Sequence, residues 1–199
     1  MTDVALGQRP LPVGSTRRNT VAWWGVLCLI GTEGALFAYL LFSYYYTALQ
    51  LGDDFGQPRH PQLELSLPNT IVLLTSSVFV WWGDRSIKRG QSAQFFIGYG
   101  IGLLLGIAFL VIQTFEWRSQ TFSLTSGVYG SLFFTVTGFH MAHVIVGVLA
   151  LASILVWAAL GYFDENRCVP VLVAAAYWHF VDAVWIAVFF TFYLTPYFW

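Results

Sequence analysis

Five long runs of apolar residues, separated by polar connectors, dominate the hydrophobic pattern of this chain. The runs cover residues 21–47, 67–83, 93–115, 128–160 and 169–195. Each run is close to or longer than the roughly 20 residues that a helix needs to cross a hydrocarbon core of about 30 Å. The pattern therefore predicts an all-α fold, an integral membrane bundle of five transmembrane helices.

The domain organisation follows from the same pattern. No internal repeat and no low-complexity linker divides the chain. We therefore expect a polar cytoplasmic segment at 1–20 and a single transmembrane helical domain at 21–199. In the second run, Pro68 is expected at the start of the helix, where its missing N–H costs little.

Composition agrees with a membrane protein, because 57% of the residues are hydrophobic and only 10% are charged. The net charge is -1, which gives no electrostatic basis for a nucleic-acid partner. The two cysteines, Cys28 in an apolar run and Cys168 in a connector, are expected to be free thiols.

Basic residues in the connectors predict the orientation. Seven of them fall on one side of the membrane and two on the other. The first group is Arg9, Arg17, Arg18, Arg85, Lys88, Arg89 and Arg167, and the second is Arg59 and Arg118. Because cytoplasmic loops carry the excess of Lys and Arg, we expect a cytoplasmic N-terminus and an external, periplasmic C-terminus.

Several ionisable or amide side chains lie inside these apolar runs or directly at their ends, and at membrane depth an ionisable group costs roughly 2.5–3.5 kcal/mol on insertion scales. They are Glu33, Gln113, Glu116, His140, His143, His179 and Asp182. Glu33 lies about 18 Å into the first run, near mid-membrane. Gly31 and Gly34 beside it allow a second helix to approach closely, so Glu33 is expected to face protein.

The histidines suggest two interpretations. His140 and His143, like His179 and Asp182, are three residues apart on one helix face. With the carboxylates they could form the metal site of a membrane di-iron oxygenase, but no Glu has a His three residues after it, as di-iron bundles require. We therefore favour an interior framework of hydrogen bonds between helices.

Signatures of other catalytic chemistry are absent from the sequence. It contains no G-x-S-x-G elbow, no P-loop and no dinucleotide fingerprint. Four histidines in all are too few for an axial haem pair plus a histidine copper site. A small secondary transporter is the other alternative, although the internal repeats typical of that class are not evident.

Five motifs, in order, resemble subunit III of the haem-copper respiratory oxidases. They are WGVLCLIGTEGALF, LPNTIVLLTSS, QTFEW, GVYGSLFFTVTGFHMAHVIVG and YWHFVDAVWIAVFF. The resemblance covers about residues 20–199 and is to the short, five-helix bacterial form of cytochrome c oxidase subunit III. It implies that Glu33 is the family's buried carboxylate facing subunit I. The other polar residues correspond to its interior framework.

The resemblance also implies cofactors and partners. The chain is expected to carry no metal, with haem and copper held by partner subunits, and to bind phospholipid. Its partners would be the haem-copper subunit I, the copper-bearing subunit II and a small subunit IV, in the bacterial cytoplasmic (inner) membrane. There it would support proton uptake and complex stability during O₂ reduction.

Two departures limit what is transferred from the family. Its longer form has two further helices at the start, which help to form its lipid cleft. Met141 and Ala142 stand where Gly and a larger aliphatic residue are usual. A quinol oxidase or a nitric-oxide-reductase-type complex stays open as the alternative assembly.

Overall fold

The computed structural model describes residues 21–56, 63–163 and 168–198, and all their long elements are helices. The helices are α1 (Val21–Leu51), α2 (Leu63–Ile87), α3 (Ser92–Ser119), α4 (Val128–Ala159) and α5 (Val169–Phe189). All five are long and apolar enough to cross a membrane. The predicted all-α fold with five transmembrane helices is thereby confirmed. The expectations for residues 1–20, Arg59 and Arg167 lie outside the described residues.

The second helix differs from its prediction in where it begins. It runs from Leu63 to Ile87, whereas the apolar run covers only 67–83. Pro68 consequently lies inside the helix and not at its start. The expectation for Pro68 was wrong because polar residues at a helix end, such as Glu64, continue the helix beyond its apolar part. The proline lies in the second turn, where it removes the backbone bond to the Glu64 carbonyl.

The fifth helix is the centre of the bundle and packs against α1, α2 and α4. Over half of its most apolar stretch, 56%, is buried, against 11% for α1. The most extensive pairing of all is between α2 and α3. A Cβ atom added to Gly98 of α3 would lie 2.8 Å from the carbonyl oxygen of Phe79 on α2. The glycine therefore allows the two backbones to approach closely.

The indole of Trp178 occupies a gap formed by two further glycines. A Cβ atom on Gly106 of α3 would lie 2.6 Å from this ring, and one on Gly147 of α4 would lie 2.7 Å from it. The ring is fully buried, and its Nε1 donates a hydrogen bond of 3.1 Å to the hydroxyl of Ser76 on α2. One side chain of α5 thus contacts three neighbouring helices.

The end of α5 leaves the regular helical geometry. A π-helical turn, Phe190–Leu194, follows the helix and is followed by a 3₁₀ turn, Thr195–Tyr197. The hydroxyl of Tyr45 on α1 is hydrogen-bonded to those of Thr191 and Thr195, both at 3.2 Å. These bonds attach the π turn to α1. Beside them, aromatic rings of α1, α4 and the π turn pack edge to face, with 4.8 Å between the ring centroids of Tyr44 and Phe192.

The close packing of Trp178 against Gly106 and Gly147 leads to a prediction about glycine substitutions. We expect Gly147→Ala to lower the free energy of unfolding, because overpacking costs about 1–3 kcal/mol and exceeds the gain in helix propensity of about 0.5–1 kcal/mol. Gly100→Ala is the matched control, since its Cβ would meet nothing within 4 Å. Reversible unfolding in detergent or lipid measures both variants. Equal stability of the two variants would contradict the packing described for Trp178.

Candidate functional site: buried polar clusters between the helices

The structure distributes the seven predicted polar residues over four separate places in the bundle. Glu33 and His143 form one pair, Gln113 and Glu116 belong to a second cluster, and His179 and Asp182 to a third. His140 lies by itself among aromatic rings. The residues were expected to link helices, and each place lies where at least two helices meet.

Glu33 of α1 is directed at α4 of its own bundle. One carboxylate oxygen, Oε2, lies 3.0 Å from Nε2 of His143, and the other ring nitrogen, Nδ1, donates to the Phe139 carbonyl at 2.7 Å. Because Nδ1 carries a proton, a single further proton must lie between Nε2 and the carboxylate for the contact to be favourable. The pair is only partly enclosed, with 29% of the Glu33 side chain and 15% of the His143 side chain exposed.

The second cluster joins α2, α3 and the π turn. Tyr193 of the π turn donates a hydrogen bond to Oε1 of Glu116. One turn earlier on α3, Oε1 of Gln113 accepts a hydrogen bond of 3.2 Å from Nδ2 of Asn69 on α2. The same Nδ2 donates to the Phe109 carbonyl at 3.3 Å. All these side chains are buried, so the cluster connects three segments in the absence of solvent.

The third cluster joins α2 to α5. The hydroxyl of Ser77 lies 2.5 Å from Nδ1 of His179 and also interacts with the carboxyl group of Asp182. Within the part of the chain that the structure describes, neither oxygen of Asp182 has a hydrogen bond of ordinary geometry, although the residue is buried. Ser, His and Asp here do not form a nucleophilic triad, since in a triad the carboxylate orients the histidine and not the serine.

His140 of α4 is fully buried and surrounded by rings. It stacks on Trp185 with 4.8 Å between ring centroids, and the Phe109 ring lies perpendicular to it with 5.9 Å between centroids. Neither ring nitrogen has a hydrogen-bond partner in the described part of the chain. His140 therefore packs as an aromatic ring and does not join His143, although the two residues lie three apart on one helix.

The separation of His140 from His143 gives no support to the hypothesis of a metal site built from these histidines. Within residues 21–56, 63–163 and 168–198, no three His, Cys, Asp or Glu side chains lie close enough together to hold a metal ion. Residues three apart on a helix differ by about 60° in direction, which is enough to aim His140 at α3 and α5 while His143 faces α1. Cys28 and Cys168, both within the described residues, form no disulfide, as predicted.

Sequence reasoning missed the partners on α2. Four polar residues of α2 contact the interior clusters or the tryptophans of α5, namely Asn69, Thr70, Ser76 and Ser77. Trp185, for example, donates a hydrogen bond of 3.0 Å from Nε1 to the hydroxyl of Thr70. Their spacing carried the signal, because 69 and 76, like 70 and 77, are seven residues apart and so lie on one helix face.

An apolar cavity of about 630 Å³ lies between α1, α4 and α5, at the end of the bundle where α1 and α5 begin. Its walls are almost entirely hydrocarbon, with Trp157, Tyr162 and Tyr177 among the larger lining residues. It contains none of the polar clusters described above.

Comparison with known proteins places these features in a family. A sequence profile of the family described as "Cytochrome c oxidase subunit III" matches residues 16–199. The chain is 34% identical over 184 residues to the cytochrome c oxidase subunit 3 of Ornithorhynchus anatinus, which covers 88% of this chain and 69% of that protein. The identity to the same subunit of Locusta migratoria is 33% over 184 residues, covering 88% of this chain and 68% of the relative.

The chain belongs to the cytochrome c oxidase subunit III family. The resemblance inferred from the five motifs is thereby confirmed. With its five membrane-spanning helices, this subunit III family member is a multi-pass membrane protein.

Proposed function

We propose that this chain is the non-catalytic subunit III of a respiratory haem-copper terminal oxidase, a cytochrome c oxidase of the bacterial inner membrane. The observation that carries the proposal is the family match over residues 16–199. Its partners would be the haem-copper subunit I, the copper-bearing subunit II and a small subunit IV. Those partners would hold the haem and copper that reduce O₂.

The polar clusters support an accessory role for this chain. Histidine and carboxylate side chains in the described helices are engaged in pairs or packed against rings, and they are dispersed along the bundle. Such groups connect helices at about 0.6–2 kcal/mol per bond, which suits a scaffold. The chemistry of O₂ reduction is therefore assigned to the neighbouring subunits.

The outer face of α1 is the surface that we assign to subunit I. Six exposed residues follow one another at alternating steps of four and three along α1, namely Trp24, Cys28, Gly31, Ala35, Ala38 and Phe42. This spacing matches the seam of two helices that cross at about 20°. The small residues at its centre let a partner backbone approach closely, while the aromatic residues at its ends extend the contact.

Lipid binding is assigned to the apolar cavity between α1, α4 and α5. Its hydrocarbon walls favour an acyl chain over a polar ligand, and Trp157 and Tyr162 are of the residue type that sits at headgroup level. Proton uptake is assigned to Glu33 and His143. This pair holds one proton between a carboxylate and a ring nitrogen, and it is partly exposed in the groove between α1 and α4.

The α1 face makes a prediction about assembly. We expect Ala35→Trp to reduce the amount of haem-copper subunit that co-purifies in mild detergent by roughly tenfold, since overpacking an interface costs about 1–3 kcal/mol. The control is Leu104→Trp, which places the same side chain on an exposed position of α3. If the control loses the partner and Ala35→Trp retains it, the assignment of the α1 face is wrong.

Glu33 allows a separate test of the accessory role. We expect Glu33→Gln to leave the complex assembled and active in O₂ reduction, because Gln keeps the shape and can donate to Nε2 of His143. Glu33→Ala should lower the yield of complex, because it leaves a cavity and an unpartnered Nε2 on His143 at a cost of about 1–3 kcal/mol.

Oxygen consumption and haem spectra of the purified complexes measure both effects, with the exposed Glu64→Gln as control. One result would end the accessory-subunit proposal. It is a Glu33→Gln complex that retains all its subunits and normal haem spectra but reduces no O₂.

A further inference from the structure

The cluster of Asn69, Gln113 and Glu116 contains three polar atoms that have no hydrogen-bond partner among the described residues. They are Oδ1 of Asn69, Nε2 of Gln113 and Oε2 of Glu116. The three residues are 0%, 0% and 2% exposed, so bulk water does not reach these atoms. Leaving a buried donor or acceptor unpaired costs about 1–3 kcal/mol, and three such atoms in one cluster require an explanation.

The orientations of the two amides follow from their other bonds. Nδ2 of Asn69 donates to the Phe109 carbonyl, which can only accept, so the oxygen of this amide must point elsewhere. Oε1 of Gln113 accepts the second bond of that Nδ2, which directs the Gln113 NH₂ group away from it. The unpaired set is therefore one amide donor and two oxygen acceptors, and flipping either amide would break an existing bond.

The unpaired atoms belong to side chains that already face one another. Gln113 interacts with Glu116 and with Tyr193, yet its NH₂ group makes an ordinary hydrogen bond to neither. One hydrogen bond, from Nδ2 of Asn69 to Oε1 of Gln113, joins the two amides. The other donor of the pair, Nε2 of Gln113, and the other acceptor, Oδ1 of Asn69, remain unpaired among the described residues. The three unpaired atoms therefore belong to one connected cluster of side chains, in the region between α2, α3 and the π turn.

We propose that one water molecule binds in this region and bridges Asn69, Gln113 and Glu116. It would accept from Nε2 of Gln113 and donate to Oδ1 of Asn69 and Oε2 of Glu116. Three bonds is the usual number for a buried water, and here they satisfy every unpaired atom of the set.

Other small ligands fit the same atoms less well. A metal cation would be repelled by the NH₂ group of Gln113, and an anion would meet two oxygen acceptors. Water both donates and accepts, and so matches a set of mixed character. Through Glu116 the bridge would also extend to Tyr193, so that one molecule completes the connection between α2, α3 and the π turn.

Water-edited solid-state NMR of the full chain in lipid bilayers tests the proposal directly. We expect magnetisation to pass from water to the side-chain amide of Gln113 and much less to the indole N–H of Trp178. The Trp178 indole is the internal control, because it is equally buried but bonded to the Ser76 hydroxyl. Equal, weak transfer to both groups in the wild-type chain would overturn the proposal.

Two substitutions separate a bound water from general hydration of the bundle. Glu116→Gln keeps an oxygen for Tyr193 and supplies an N–H to the water, so transfer to Gln113 should persist. Glu116→Met removes one of the three water partners, and transfer to Gln113 should fall to the level of the Trp178 indole.

The matched control is Thr137→Val, which removes a buried hydroxyl that bonds only within α4 and should change nothing. Loss of transfer in folded Glu116→Gln would contradict the proposal. A high-resolution structure with Nε2 of Gln113 bonded directly to Oδ1 of Asn69 would contradict it as well.

Discussion

Hydrocarbon cannot satisfy a polar side chain, and this constraint organises the interior of the bundle. An unpaired polar group in such a medium costs several kcal/mol, which favours a partner on another helix, on the group's own backbone or in a bound molecule, and His140, packed among rings, is an exception in the site. The contacts between Glu33 and His143, Trp185 and Thr70, and Tyr193 and Glu116 meet this requirement. Each contact also sets the rotation of two helices relative to each other, because it forms at only one alignment.

Close packing of side chains provides much of the attraction between the helices. The hydrophobic effect does not, because lipid tails are as apolar as the helix surfaces. Close approach of α3 to α2 depends on glycine, and the large side chains of α5 fill the spaces that glycines of α3 and α4 leave open. The fifth helix is central because its aromatic residues combine both roles. Trp178 fills such a space and donates a hydrogen bond at its tip, so that volume and polarity are satisfied by one residue.

The sequence was sufficient to predict five helices and the family, but it did not single out the polar partners on α2. Span length and composition depend on local sequence, and so does the seven-residue spacing on α2. Which residues meet depends on helix rotation, which no single run contains. His140 and His143 share a helix face by spacing, yet packing directs one at Trp185 and the other at Glu33. Glu33 was expected to face another subunit, and its nearest partner is the histidine of its own chain.

Our main proposal is that this chain supports an oxidase whose redox centres lie in other subunits. The most direct measurement removes the chain from the purified complex with a stronger detergent and assays haem, iron and copper in both fractions. We predict that the remaining complex retains all its haem and copper and its visible spectrum, while the released chain is colourless. Stoichiometric haem, iron or copper in the folded, released chain would contradict the claim and restore an enzymatic role for these helices.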